Sequence, residues 1–220
     1  MVRRTIEKHK DFWQQRAHII SVSVGLLMFI VSLVANHYAN FYASIYVSNS
    51  VTDLLIDNVP VVNVQVLYAN GPILFSLVVF VILLFEPRYI SFVLKSLSLF
   101  VVIRSFFMML THLAPPPTEI YLDPSDFIQR LSWGNDLFFS GHVGVPFLLG
   151  VMFWKKILLR YFFLFCTVAG GVIVILGHLH YSIDVFSALF ISFGIYHISR
   201  FLFRKDFRVF SSAYFNVKAD

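Results

Sequence analysis

Two short stretches of the sequence place ionisable side chains at the edges of long apolar runs. The first is 136–142 (DLFFSGH), which contains Asp136 and His142, and the second is 177–185 (GHLHYSIDV). Ionisable groups are costly beside extended apolar surface, so their presence there indicates either internal partners or chemistry.

The second stretch contains a histidine and an aspartate at a spacing that suits nucleophilic catalysis. His180 and Asp184 are four residues apart, so they share a face if a helix begins around them. A carboxylate in that position fixes the tautomer of the imidazole. This is the base-plus-orienter half of a nucleophilic triad.

The first stretch has the features of an anion site. His142 follows Ser140 and Gly141 at the predicted start of a helix, where unbonded N–H groups and the helix dipole favour a negative charge. Arg104 lies well within another apolar run and must face protein or water. Its planar set of donors matches phosphate oxygens, so we predict a phosphate site that includes Arg104.

A metal site is an alternative interpretation of the second stretch. His178, His180 and Asp184 have side chains that suit zinc or manganese. Three or four ligands are not clearly placed by the sequence, so we expect neither a metal nor another cofactor. Histidines that stand alone at a membrane boundary are expected to have no catalytic role; these are His9, His18, His37, His112 and His197.

The composition predicts an integral membrane protein with an all-α fold. Of 220 residues, 58% are hydrophobic and 13% are charged, and mean hydropathy is +0.77. Several runs reach the roughly 20 residues that a helix needs to cross a bilayer. The net charge of +5 is spread over short loops and the ends, so we expect no nucleic-acid partner. The single Cys166 excludes an intrachain disulfide.

The apolar runs predict a bundle of six transmembrane helices. An interfacial segment, 1–16, precedes a membrane domain at 17–203, and a basic tail, 204–220, follows it. The predicted spans are about 17–35, 66–85, 90–113, 137–154, 157–176 and 182–203.

The positions of basic residues predict the orientation of these spans. Of the 17 Lys and Arg residues, all except Arg104 and Arg130 fall in predicted inner segments or at their edges. Because Lys and Arg accumulate in cytoplasmic loops, we expect both termini to be cytoplasmic. The two motifs then lie together on the extracytoplasmic side.

These motifs resemble those of a known superfamily. Ser140-Gly141-His142 with His180-x-x-x-Asp184 is similar to the signature of the type 2 phosphatidic acid phosphatase (PAP2), or lipid phosphate phosphatase, superfamily. The resemblance predicts a multi-pass enzyme that acts on membrane lipids.

A closer resemblance is to sphingomyelin synthase and its relatives. It is carried by Asp136 four residues before Ser140, by the run 178–185, and by Arg104 followed by Thr111. The hydrolase branch usually carries a Ser-Arg pair where this chain has Ile173 and Val174. The difference favours a transferase over a phosphatase.

The mechanism that we expect proceeds through a phosphohistidine. His180 attacks phosphorus, Asp184 orients it, and His142 protonates the departing oxygen and then deprotonates the acceptor. Arg104, Ser140 and Gly141 hold the charge on the phosphate oxygens. The expected partners are a phospholipid donor and a lipid alcohol, ceramide or diacylglycerol.

Other residues are expected to support the site or to bind the headgroup. Asp136, Glu119 and Trp133 have the chemistry to contact a choline or ethanolamine cation, and Thr111, His178 and Tyr181 lie near them in the predicted topology. Two alternatives stay open, a lipid phosphatase that uses water and a non-enzymatic transporter or scaffold. The headgroup and the oligomeric state also stay open.

Overall fold

The fold is built from α-helices. The computed structural model describes residues 2–120 and 137–215, and within these ranges there is no β-strand. Asp136 and Trp133 lie outside the described residues. The helices are α1 (Val2–Trp13), α2 (Arg16–Ile45), α3 (Gln65–Phe85), α4 (Ile90–Leu110), α5 (Gly141–Met152), α6 (Ile157–Leu176), α7 (Ser182–Leu202) and α8 (Arg204–Phe215), with a 3-10 turn at Pro87–Tyr89.

Five of the predicted spans correspond to helices that are long and apolar enough to cross a membrane. They are α2, α3, α4 with its preceding 3-10 turn, α6 and α7. The predicted fourth span, 137–154, is instead the 12-residue helix α5. That helix is about 18 Å long, well below the roughly 30 Å of a hydrocarbon core. By length alone it is not a crossing segment.

Helix α2 extends beyond its predicted end. The apolar run stops at Asn36, yet the helix continues to Ile45. Its last turns bury Ala39 and Ala43, and α2 packs along α4 over much of its length. Tertiary packing therefore continues a helix that the hydropathy pattern alone would have ended.

Helix α5 lies at the centre of the bundle, against α6 and α7. Two close approaches require glycine. A Cβ on Gly170 would lie 2.4 Å from the carbonyl oxygen of His142, and one on Gly144 would lie 2.7 Å from the Phe100 ring. These glycines let neighbouring helices approach the segment that carries His142.

One end of the bundle, which we call the terminal end, is closed by α1 and α8. Lys95 of α4 is buried and lies 2.7 Å from Asp206 of α8, which also accepts hydrogen bonds from Ser21 and Ser91. A lysine near the end of a predicted span commonly extends its side chain to the membrane surface. Lys95 instead bonds to this carboxylate inside the protein.

The opposite end, which we call the cap end, is covered by residues 46–64 and 111–120. Backbone hydrogen bonds join these segments to one another and to the end of α6. Ser48 N–H donates to His112 O (2.6 Å), Val62 N–H to Leu176 O (2.7 Å), and Ile120 N–H to Gly177 O (3.1 Å). The cap therefore lies directly over the turn between α6 and α7.

Candidate functional site

The His180 and Asp184 side chains are buried together at the start of α7. His180 Nδ1 lies 3.5 Å from Asp184 Oδ2, and the two residues are 3% and 0% exposed. The same carboxylate oxygen accepts the N–H of Tyr181 at 3.0 Å. His180 precedes the first helical residue, Ser182, so a capped turn, rather than a shared helix face, brings the pair together.

The chain enters this turn through His178. Helix α6 ends in a Schellman motif, in which Leu179 N–H donates to Val174 O (2.9 Å) and His178 N–H to Ile175 O (3.0 Å). His178 has a φ of 53°, a left-handed conformation that commonly belongs to glycine. Such a conformation in another residue costs about 1–3 kcal/mol, so surrounding contacts must stabilise it.

The His178 ring supplies those contacts. Its Nε2 lies 3.0 Å from Val59 O, and its Nδ1 lies 2.5 Å from Thr118 Oγ1. A carbonyl oxygen only accepts, so Nε2 carries the hydrogen, and in the neutral ring Nδ1 accepts from the Thr118 hydroxyl. His178 thereby joins both cap segments to the α6–α7 turn, which is a positioning role.

Asp53 also holds the start of α7, and sequence reasoning did not select it. Its Oδ2 accepts the N–H and the hydroxyl of Ser182, both at 2.7 Å. Its Oδ1 accepts the N–H groups of Leu55 (2.9 Å) and Ile56 (3.1 Å). Burial opposes ionisation of Asp53, but these hydrogen bonds outweigh it and lower its pKa. No local pattern connects Asp53 with a residue as distant as Ser182.

The Ser140 motif begins α5 and is bonded to the α7 motif. Ser140 is the N-cap of α5 and is fully buried. Its N–H donates to the carbonyl oxygen of Asp184 at 3.2 Å, and its own carbonyl accepts Gly144 N–H at 2.9 Å. The first N–H groups of a helix have no partner within it, so the start of α5 offers donors beside the His180–Asp184 pair.

Arg104 reaches the start of α5 from the middle of α4. It is 7% exposed, and its Nε donates to Phe139 O at 2.7 Å. The Cβ position of Gly141 is 3.8 Å from Arg104 Nε. The structure thus brings together Arg104, Ser140 and Gly141 from two helices, and Ser140 connects them to Asp184.

His142 lies on the first turn of α5, and its ring stacks on Tyr68 of α3. The ring centroids are 4.3 Å apart and the planes differ by 18°. Tyr68 is a site neighbour that the sequence did not indicate, since it lies within an apolar run far from both motifs. The stack restricts rotation of the His142 ring.

Three further predicted site residues, Tyr181, Thr111 and Glu119, lie in the cap or contact it. Tyr181 Oη donates to Ala114 O (2.9 Å) and accepts Val51 N–H (3.3 Å). Thr111 ends α4, and no hydrogen bond joins its side chain to His180 or Asp184 in the part of the chain that is described. Glu119 is half-buried, and burial raises its pKa to about 7.

The His, Cys, Asp and Glu side chains near the site do not form a metal-ligand cluster in the described part of the chain. Within residues 2–120 and 137–215, no three His, Cys, Asp or Glu side chains converge in a way that could hold a metal ion. Both ring nitrogens of His178 are instead within hydrogen-bond distance of Thr118 and Val59.

Residues 134–201 match the family described as PAP2 superfamily C-terminal. The match supports the PAP2 superfamily. It contains both the Ser140 motif and the His180–Asp184 pair, and it suggests phosphatase or phosphotransferase chemistry on lipids. With the five long apolar helices, it also suggests an integral membrane enzyme. Comparisons with curated proteins and with solved structures give no match.

Proposed function

We propose that this protein is a membrane phosphotransferase that moves a phospho-headgroup from a phospholipid to a lipid alcohol, ceramide or diacylglycerol. The observation that carries the proposal is the burial of His180 Nδ1 at 3.5 Å from the Asp184 carboxylate, beside the start of α5. A buried imidazole next to a carboxylate and to phosphate-binding donors has the parts of a phosphohistidine enzyme.

In the first half-reaction, His180 is the nucleophile. In the reacting complex the Nδ1–H faces the Asp184 carboxylate, which leaves the lone pair on Nε2. At 3.5 Å the two groups do not form a hydrogen bond in the structure itself. Nε2 forms a bond to phosphorus while the bond from phosphorus to the diacylglycerol oxygen breaks, and His142 gives that oxygen a proton. The headgroup phosphate is then carried on His180.

In the second half-reaction, His142 takes the proton of the acceptor hydroxyl. The hydroxyl oxygen forms a bond to phosphorus, the bond from phosphorus to Nε2 breaks, and His180 is restored. Arg104 and the N–H groups at the start of α5 stabilise the charge on the non-bridging oxygens in both steps. The Nε of Arg104 bonds to Phe139 O, which orients the guanidinium toward the start of α5.

We propose six crossing segments, with both termini in the cytoplasm and the site on the extracytoplasmic side. The terminal end is rich in basic residues, among them Lys8, Arg88 and Arg204, whereas the cap contains Asp53, Asp57 and Glu119. This asymmetry follows the positive-inside rule. Helix α5 is too short to cross a membrane alone, so the non-helical residues on either side of it would complete the crossing. Non-helical backbone is tolerated at membrane depth where protein surrounds it, and α5 is largely buried.

The proposed branch is sphingomyelin or ceramide phosphoethanolamine synthase-like. Its support is the resemblance of the 136–142 and 178–185 motifs and the presence of Ile173 and Val174 where the hydrolase branch has Ser-Arg. We propose that Glu119, with Asp136 and Trp133, contacts the headgroup cation. Thr111 supports the site from the cap, and His178 and Tyr181 support it from the α6–α7 turn, which the cap covers.

Product analysis tests the proposal. Purified protein is given a phospholipid labelled in its headgroup, with ceramide, with diacylglycerol or with neither, and the lipids are identified by mass spectrometry. We expect headgroup transfer to a lipid alcohol, loss of transfer in His180→Ala and His142→Ala, and unchanged transfer in His9→Ala, which alters the opposite end of the bundle. Release of the phosphorylated headgroup to water without transfer, or of phosphate when phosphatidic acid is the donor, would indicate a hydrolase such as a lipid phosphatase. An absence of turnover in all conditions would favour a transporter or scaffold.

A further inference from the structure

A second feature with the chemistry of an anion site lies at the terminal end, away from His180 and Asp184. The end of α7 and the start of α8 border a shallow surface cavity of about 430 Å³. It is lined by His197, Arg200, Phe201, Arg204, Phe207 and Arg208.

The charge of this cavity is uncompensated within the described chain. Three guanidinium groups line it, and none of them forms an ion pair with a carboxylate among residues 2–120 and 137–215. Asp206 lies between two of these arginines in sequence, but its carboxylate is bonded to Lys95 on the bundle side of α8. The same contact fixes α8 against α4, so that Arg204 and Arg208 of α8 lie at the cavity.

Aromatic rings hold two of the guanidinium groups in place. The Cζ of Arg200 lies 4.5 Å from the Phe207 ring centroid, and that of Arg204 lies 4.6 Å from the Phe201 ring centroid. A guanidinium stacked on a ring keeps its N–H edges available, and those edges match phosphate oxygens in pairs. Arg200 also donates a hydrogen bond to the Tyr196 side chain, which further fixes its position. The remaining N–H groups of the two stacked guanidinium groups are preoriented donors beside the cavity.

The cavity is continuous with an apolar surface. Phe201 forms part of its lining and is 65% exposed, and Phe193 (51%) and Phe190 (79%) are exposed farther along α7. Helix α7 has the length and hydropathy of a membrane span, so acyl chains contact this surface in a bilayer. A ligand that contacts both the arginine-lined cavity and the apolar surface of α7 would need a phosphate group and acyl chains.

We propose that this cavity binds the headgroup of an anionic phospholipid, with its phosphate on Arg200, Arg204 and Arg208. A net negative headgroup fits better than a zwitterionic one, because three guanidinium groups repel the ammonium of choline or ethanolamine. Basic sites at the ends of membrane helices attract anionic lipids in this way. The inference requires a membrane location for α7 and is independent of the reaction at His180.

Binding of phosphatidylglycerol to the detergent-solubilised protein, measured by native mass spectrometry, tests the proposal. His180→Ala is the background, so that turnover does not intervene. Adding Arg200→Gln, Arg204→Gln and Arg208→Gln removes all three cationic groups, and we expect affinity to fall on the order of 100-fold. A matched control, Lys155→Gln, Lys156→Gln and Arg160→Gln, removes three charges from another part of the terminal end, and we expect less than about a threefold change there.

A competition experiment and a photolabelling experiment distinguish lipid binding at this cavity from other results. Inorganic phosphate is added as a competitor, and we expect no competition at concentrations that match the lipid, because free phosphate gains nothing from the Phe201 surface. In the unsubstituted protein, a phosphatidylglycerol with a photoreactive acyl chain should label residues between Phe190 and Arg208. Equal losses in both triple variants, full competition by phosphate, or labelling confined to other helices would each overturn the proposal.

Discussion

The N–H of Ser140 donates a hydrogen bond to the carbonyl oxygen of Asp184 at 3.2 Å. This single backbone contact joins the start of α5 to the first turn of α7. It explains how the start of α5 and the His180–Asp184 pair, which come from distant parts of the sequence, lie beside each other. Side-chain substitutions therefore can test the chemistry while the backbone contact remains.

Asp184→Asn is expected to lower kcat by roughly 10³–10⁴-fold, because the amide no longer stabilises the required tautomer and charge of His180. An amide oxygen can still accept the Tyr181 N–H, so the fold should survive. Headgroup transfer and thermal unfolding are measured together. Asp11→Asn, on the exposed side of α1, is the control and should match the unsubstituted protein. An Asp184→Asn enzyme with full activity would exclude the orienting role.

Asp53→Asn is expected to lower both kcat and Tm. Both carboxylate oxygens of Asp53 accept hydrogen bonds from N–H or O–H groups. In either orientation, the NH₂ group of an asparagine would face the donors that one of these oxygens now accepts, and two donors cannot bond to each other. We expect kcat to fall about tenfold, since a misplaced start of α7 weakens the reacting geometry. Combining it with Ser182→Ala should give less than the sum of the two single effects. Strictly additive effects would exclude coupling through this contact.

The pH dependence of Asp53 has a definite sign. Its pKa is lower in the folded protein than the ordinary 3.8, so the unfolded chain binds the proton more readily. The stabilisation is present above about pH 4 and is lost as the pH falls through the folded pKa. The difference in Tm between the unsubstituted protein and Asp53→Asn should be constant above about pH 5 and shrink in more acidic buffer.

Glu119→Gln is expected to raise Tm at pH 8. Burial raises the pKa of Glu119 from 4.5 to about 7, so ionisation above pH 7 opposes the folded state. The stabilising effect of the substitution should fade as the pH falls. The carboxyl becomes neutral in the folded protein near pH 7, and it is neutral in the unfolded chain as well below about pH 4.5. Thermal unfolding across this range checks the sign. A variant that is less stable at pH 8 would show that the Glu119 carboxylate has a favourable partner.

Tyr68→Ala is expected to lower kcat about tenfold, because the His142 ring loses the surface that restricts its orientation. Tyr68→Phe is the matched variant, since it retains the stack and removes only the hydroxyl. Headgroup transfer should be close to normal in Tyr68→Phe. Equal losses in the two variants would assign the effect to the hydroxyl instead of the stack.

The sequence predicts helix bounds best where an apolar run is flanked by residues that commonly begin or end helices. The bounds of α6, Ile157–Leu176, are those predicted, since basic residues precede the apolar run and Gly177 follows it. The predicted end of α2 was wrong because the last turns of this helix depend on packing against α4. The helix within the predicted fourth span is shorter than the span, because the apolar residues before it lie in a bend and those after it lie in a turn.

The candidate site was predictable only in part. The types and spacing of His180, Asp184 and Ser140 are local and can be read directly from the sequence. The contributions of Asp53 and Tyr68 depend on neighbours that are far away in the chain, and no periodicity marks them. His178 was selected as a possible supporting residue, but its left-handed backbone and its two ring contacts emerge only from the folded turn.

The most direct test of the central claim is to trap the covalent intermediate. The protein is incubated with a phospholipid labelled at phosphorus, without an acceptor alcohol, then quenched in alkali and digested for mass spectrometry. We predict an acid-labile phospho-headgroup adduct on His180 that disappears when ceramide or diacylglycerol is added and is absent from His180→Gln. Headgroup transfer by the unsubstituted protein with no adduct on His180, or an adduct that persists in His180→Gln, would contradict the mechanism.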